Sequence, residues 1–225
     1  MRAYLAELLG STLWATVALA TLLNDSDLRP VAVGAAVLAV VVATARISGG
    51  HANPAISLGA VIRGALPAAE LVPYLAAQLL GGLLAYLLMV ASYGDQLDAL
   101  PGSIDLGGLV VAAFVLELAF TFALVWVQLV TIGRYARGEH GVSGVDHEVV
   151  PAGLALGGVV LAGTAVAGPV SAAALNPVVT FAMALAGVLA WKWFPVYVLA
   201  QLLGAVLAGL LELFIAQPNA DAGGS

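Results

Sequence analysis

Two stretches decide how this chain is read: Gly49-Gly50-His51-Ala52-Asn53-Pro54-Ala55 and Ala172-Ala173-Ala174-Leu175-Asn176-Pro177-Val178. Asparagine is a strong N-cap, and proline is pre-set for the first helical position, where it has no N–H to waste. Each Asn-Pro pair therefore marks an abrupt helix start. The segments that follow, Asn53–Ile62 and Asn176–Val188, are apolar but too short to cross a hydrocarbon core about 30 Å thick. They are read as re-entrant half-helices. Irregular backbone at that depth is tolerated only where protein buries it or where it lines a wet cavity, so two such segments point to a pore. A single Asn-Pro would simply start a helix. Two copies, 123 positions apart and in matching places of a repeat, carry far more.

The surroundings agree. Of 225 residues, 62% are hydrophobic and 9% charged, too little polar surface for a soluble domain. Six apolar runs, roughly Leu5–Leu23, Pro30–Ile47, Leu71–Ser92, Gly107–Ile132, Val150–Ala167 and Trp193–Ala216, are each long enough to span at about 1.5 Å per residue. The first lacks a small-residue cleavage pattern and reads as a span rather than a signal peptide. The predicted fold is an all-α membrane protein of six transmembrane helices and two re-entrant half-helices. It forms one channel domain over residues 1–220, and the tail 217–225 is expected to be disordered. There is no cysteine, hence no disulfide, thiolate ligand or cysteine nucleophile. With three histidines, a metal site is not expected, nor a cofactor or a nucleic-acid partner, and no enzyme constellation is visible.

The chain repeats itself. Tyr74-Leu75-Ala76-Ala77-Gln78-Leu79-Leu80-Gly81 matches Tyr197-Val198-Leu199-Ala200-Gln201-Leu202-Leu203-Gly204. Asn53 precedes Gln78, and Asn176 precedes Gln201, by the same 25 positions. Glu7 in the first span corresponds to Glu117 in the fourth, and Ser48 and Ser171 each stand five residues before their Asn-Pro. Repeat one covers about 4–93 and repeat two about 107–216. Three spans per half invert the second half relative to the first, which brings the broken helices together near the bilayer midplane. The basic residues divide as Arg2, Arg46, Arg63, Arg134 and Arg137 on one side against Arg29 and Lys192 on the other. Five against two predicts both termini in the cytoplasm.

Two inverted half-helices present positive ends to each other. If each Asn carbonyl caps its own helix, each amide NH₂ is left to donate into the lumen. Such a site holds a water or hydroxyl oxygen and disfavours a cation, including a hydrated proton. Glu7 and Glu117 lie within spans, where charge is costly and faces the bundle interior. A proton relay would need ionisable partners, and none is suggested nearby. Gln78 and Gln201 are expected to make interhelical polar contacts. Residues 134–148 read as a solvated loop, in which His140 or His147 could serve a pH-responsive gate.

Ile47-Ser48-Gly49-Gly50-His51-Ala52-Asn53-Pro54-Ala55 resembles the first signature loop of the aquaporin (major intrinsic protein) family. Gly168-Pro169-Val170-Ser171 followed by Asn176-Pro177 resembles the second. The resemblance extends from Glu7 to about Phe214. It implies a passive channel in a homotetramer with one pore per subunit, in a lipid bilayer, and a bacterial inner membrane is expected. It also implies that Glu7 and Glu117 brace the loops before the half-helices, and that Gly49, Gly50, His51, Ala52, Ala172 and Ala174 present backbone to the pore. At the family's offsets from the two motifs, its outer filter falls on Val33, Thr164, Ala173 and Val179. The family places arginine at the last of these, and water-selective members add Phe and His; this chain has none of the three, and its second motif ends in Val178 rather than alanine.

The departure predicts a wider, less polar opening, with the Thr164 hydroxyl as its sole side-chain donor and no fixed positive charge. The expected permeants are small neutral solutes: glycerol-like polyols, urea, neutral metalloid hydroxides or methylated arsenicals, with water. The alternatives are a water-selective channel whose filter is rebuilt by another side chain, a secondary transporter, and a closed structural tetramer.

Overall fold

The computed structural model describes residues 1–24, 26–94, 104–133 and 146–216, the side chains of 146–148 excepted. The predicted tail, His140, and the basic residues Arg134 and Arg137 lie outside the described residues, as does the side chain of His147. The helices are α1 (Arg2–Leu23), α2 (Arg29–Ser48), α3 (Pro54–Arg63), α4 (Leu71–Tyr93), α5 (Val110–Gln128), α6 (Asp146–Ser171), α7 (Pro177–Leu185) and α8 (Phe194–Ile215). Six of the segments are long and apolar enough to cross a membrane, and α3 is a shorter apolar helix. The chain is an integral membrane protein.

Two predicted boundaries shift for identifiable reasons. The second half-helix stops at Leu185 rather than Val188, because Gly187 turns left-handed (φ 72°) and the N–H groups of Val188 and Leu189 return to Met183 O at 2.9 and 3.1 Å. The fifth span runs past Ala167 to Ser171 with Pro169 inside it. Proline there forfeits one helical hydrogen bond near the end of the helix. The continuation carries the Ser171 hydroxyl to a buried carboxylate described below. α5 runs on into a π-turn over Leu129–Gly133, the kind of irregularity often found near functional sites.

The packing follows a pseudo-two-fold. α1 packs on α4 as α5 packs on α8, α1 on α2 as α5 on α6, and α2 packs on α6 across the repeat. Each half-helix packs on the other repeat's last span, α3 on α8 and α7 on α4. Small residues permit these crossings. A Cβ built on Gly81 would stand 2.5 Å from Leu8 O, and one on Gly204 would stand 2.6 Å from Leu118 O. At the α2–α6 crossing, a Cβ on Gly157 would stand 2.6 Å from Gly34 O. Leucines such as Leu80, Leu84, Leu87, Leu207 and Leu210 are exposed on the outside of the spans, where a bilayer and not water is the solvent. Outside the spans, Ile104 N donates to Val188 O (2.7 Å) and ties the approach to α5 to the end of the second half-helix. The Gly107 N–H, with Lys192 3.5 Å away, holds the exposed Asp105 carboxyl below its usual range.

These crossings should be intolerant of added volume. Gly81→Ala should lower stability by about 1–3 kcal/mol, read as thermal unfolding in detergent. Gly158→Ala, where nothing lies within 4 Å of the new Cβ, should leave it unchanged.

Candidate functional site

The loops before the half-helices would leave backbone donors stranded at depth, and two buried carboxylates take them. Glu7 accepts from Ser48 Oγ (2.6 Å), His51 N (3.1 Å), Ala52 N (2.6 Å) and Gln78 Nε2 (2.6 Å). Glu117 accepts from Ser171 Oγ (2.7 Å), Ala174 N (2.9 Å), Leu175 N (2.8 Å) and Gln201 Nε2 (2.8 Å). Four donors per carboxylate are what a buried charge requires. Gln78 also donates to Ser57 Oγ, and Gln201 to Thr180 Oγ1, both at 2.9 Å. Tyr74 OH donates to Ser48 O (3.0 Å) and Tyr197 OH to Ser171 O (2.9 Å).

Asn53 and Asn176 adopt extended backbone, and each caps its own half-helix: Ala55 N donates to Asn53 Oδ1 and Val178 N to Asn176 Oδ1, both at 2.9 Å. Pro54 and Pro177 occupy the first helical positions. The amide nitrogens cross over. Asn53 Nδ2 donates to Leu175 O and Asn176 Nδ2 to Ala52 O, each at 3.0 Å. The two helix starts are thus joined head to head by reciprocal bonds between loops more than 120 residues apart in sequence.

Both loops use the same left-handed positions. Gly49, Gly50 and Ala52 have φ of 86°, 65° and 46°; their counterparts Ala172, Ala173 and Leu175 have 56°, 47° and 49°. The first loop places glycine at two of the three, whereas the second adopts the conformation with side chains throughout, at roughly 1–2 kcal/mol each. The surrounding bonds must impose that strain.

Of the four residues assigned to an outer filter, all are buried. Val33 and Val179 belong to the main apolar cluster, while Ala173 packs in a smaller one with Ala167, Leu175 and Phe120. Thr164 Oγ1 is buried and, among the described residues, without a hydrogen-bond partner. It borders a recess of about 340 Å³ also lined by Thr21, Arg29, Pro30, Ala165 and Gly168. A second recess, of about 240 Å³, lies by Ser48, Gly49, His51, Leu66, Tyr74 and Gln128. There His51 Nδ1 lies 3.1 Å from Ser57 Oγ. Among the described residues no group of three His, Cys, Asp or Glu could hold a metal ion.

None of the four residues expected at the filter is charged, but a cation from another element stands at the second loop. The guanidinium of Arg29, at the start of α2, donates from Nη2 to Ala172 O. The sequence reading counted Arg29 only toward orientation. Its signal was available: it lies four residues, one helical turn, before Val33. Ser57, Thr180, Tyr74 and Tyr197 were also passed over as site residues, although the 123-residue offset pairs them.

The pattern of the family described as major intrinsic protein matches residues 1–146 and 143–224. An Aquaporin TIP3-2 from Zea mays is 38% identical over 183 residues, covering 78% of this chain and 62% of that protein, less than two thirds of the relative's length. An Aquaporin TIP2-3 from Arabidopsis thaliana is 33% identical, covering 96% of this chain and 88% of its own. Among solved structures, the aquaglyceroporin from Plasmodium falciparum superposes with a TM-score of 0.73 over 94% of both chains at 19% identity, a likeness of fold.

If the carboxylates hold the loops, Glu117→Ala leaves two buried backbone donors and two side-chain donors without their acceptor. It should lower stability by about 3 kcal/mol or more, at about 1–3 kcal/mol per orphaned group. Thermal unfolding of the purified full chain in detergent reads this. A stability equal to wild type would mean that Glu117 braces nothing.

Proposed function

The chain belongs to the major intrinsic protein family, and we propose on that premise that it is a passive channel, not an enzyme, for small uncharged solutes larger than water. The observation that carries the reading is the reciprocal bonding of Asn53 and Asn176 across the two loops. An amide nitrogen has two N–H donors. One is spent on the opposite loop, and the second is assigned to a passing oxygen. Behind each stands the positive end of a half-helix, so the centre favours neutral oxygen ligands over cations.

Val33, Thr164, Ala173 and Val179 form the proposed filter. Their small side chains leave room for glycerol, urea, neutral metalloid hydroxides or methylated arsenicals, together with water. The unpartnered Thr164 hydroxyl is a donor suited to a polyol or hydroxide oxygen. Gly49, Gly50, His51, Ala52, Ala172 and Ala174 are proposed to line the passage with backbone. A homotetramer, a bacterial plasma membrane and cytoplasmic termini complete the proposal; five basic residues against two support the orientation. Arg29 at Ala172 O favours a second reading, a water-selective channel whose filter is rebuilt by a side chain from another element.

Flux in proteoliposomes separates the two. Wild type should pass glycerol, urea or arsenous acid as well as water. Val179→Arg adds a bulky cation within the first turn of α7 and should suppress the larger solutes about tenfold or more relative to water, the scale of a lost 1.4 kcal/mol. Passage of water alone by wild type, or larger-solute flux unaltered by Val179→Arg, would leave the water-selective reading standing.

A further inference from the structure

We propose that Arg29 supplies the fixed positive charge of the mouth beside the second loop, so that cations are excluded although α7 carries valine at position 179. The proposal rests on the channel reading above and adds a selectivity determinant from a different element, the start of α2. Arg29 and Val33 are one turn apart on one helix face, so a stripe that presents Val33 to the filter presents Arg29 just outside it.

Three observations hold the guanidinium there. Nη2 donates to Ala172 O, the carbonyl that follows the last residue of α6. The carboxyl end of a helix carries partial negative charge and retains a cation. Gly168 lies alongside: a Cβ built on it would stand in ordinary contact, 3.4 Å from Arg29 Nη1. A carboxylate, that of Glu117, binds the amides of residues 174 and 175 in the same loop. Arginine stays charged in every accessible environment and carries five donors in a rigid fork. One donor is on the carbonyl, and the others of the fork remain to meet a solute oxygen while the charge repels a cation.

The repeat supplies the control that separates charge from bracing. Ala172 corresponds to Gly49 at the offset of 123. The carbonyl of Gly49 is also held by a side chain from outside its loop, but by the neutral amide of Gln128, at 2.7 Å. Pinning this carbonyl therefore needs no charge. The guanidinium at Ala172 adds a field that the amide at Gly49 does not. The two mouths, alike in backbone, differ in what holds this carbonyl, an amide at Gly49 and a guanidinium at Ala172; the first recess also has Arg46 in its lining, at the end of α2, whereas the second is bordered by Arg29 itself and the Thr164 hydroxyl. In a channel of low-dielectric walls a single fixed charge acts strongly on an ion in transit and hardly at all on a neutral solute.

The test uses the full chain in liposomes, with ammonium, potassium and proton leak measured in the same vesicles as glycerol and water flux. Arg29→Gln removes the charge and keeps an amide donor on a shorter side chain. Its ratio of cation leak to glycerol flux should rise about tenfold or more, the effect of about 1.4 kcal/mol of lost repulsion. Arg29→Lys retains the charge and should keep the wild-type ratio. Should Arg29→Gln fail to insert, Arg29→Met replaces it as the uncharged variant. An unchanged ratio in the uncharged variant overturns the proposal and leaves Arg29 a brace, as does cation leak through wild type comparable with its glycerol flux. If wild type passes water but no glycerol, the wide-filter reading fails; leak is then normalised to water flux, and the outcome for Arg29 still stands or falls on that ratio.

Discussion

A backbone that leaves its helix at membrane depth must find every hydrogen bond within the protein, since lipid offers none. The whole arrangement depends on how two loops meet that constraint. In each, consecutive N–H groups converge on one buried carboxylate, Glu7 or Glu117. The same carboxylate takes a serine hydroxyl from the end of the preceding span and a glutamine amide from the following one. One side chain thereby fixes four pieces of chain. The desolvation of the charge is offset by four short donors, and removing any of these would expose a polar group where no water can replace it. The asparagines complete the construction by spending an amide N–H of each loop on a carbonyl of the other. Each loop thus depends on the other half of the chain for one of its hydrogen bonds.

Much of this was legible before any coordinate. Asn-Pro twice, at matching places of a repeat, gave the two helix starts, and apolar run length gave the six spans within a few residues. The glutamates and glutamines stood out as polar residues inside apolar spans, and the serines by their matching places before each Asn-Pro; that the glutamates brace the loops came from the family resemblance. What escaped followed from two blind spots. Helix ends depend on which carbonyl a returning N–H selects, as at Met183, and hydropathy does not report that. Arg29 escaped because a basic residue at a span end has an ordinary explanation as an interfacial anchor. Its side chain turns inward to Ala172 O instead, and only the coordinates show the direction. The four-residue spacing to Val33 placed it on the right face without deciding between lumen and headgroups.

The inverted repeat also explains where individuality can enter. Residues shared by the two halves, such as Ser48 and Ser171, Tyr74 and Tyr197, or Gln78 and Gln201, maintain the loops and cannot distinguish one mouth from the other. Differences must come from positions the repeat does not duplicate. At the 123-residue offset the counterpart of Arg29 is Ala152, and at the 110-residue offset relating α1 to α5 the counterpart of Gln128 is Ala18. Both are alanines, with nothing to offer a carbonyl. The two side chains that pin Gly49 O and Ala172 O therefore lie outside the symmetry and come from non-equivalent helices, α5 and α2.

The loops themselves carry a matching asymmetry. The first turns left-handed at Gly49 and Gly50 without steric cost, whereas the second does so at Ala172 and Ala173 with a methyl group at each. Strain of this kind persists only where surrounding contacts over-determine the backbone. The second loop has such a contact on the strained residue itself, since Arg29 holds the carbonyl of Ala172. A charged donor binds a carbonyl more strongly than a neutral one, and it stands on the loop whose backbone needs more holding. The loop that bears methyl groups in a glycine conformation is thus the loop that recruits a cation, and one arginine both secures the backbone and gives that mouth its charge.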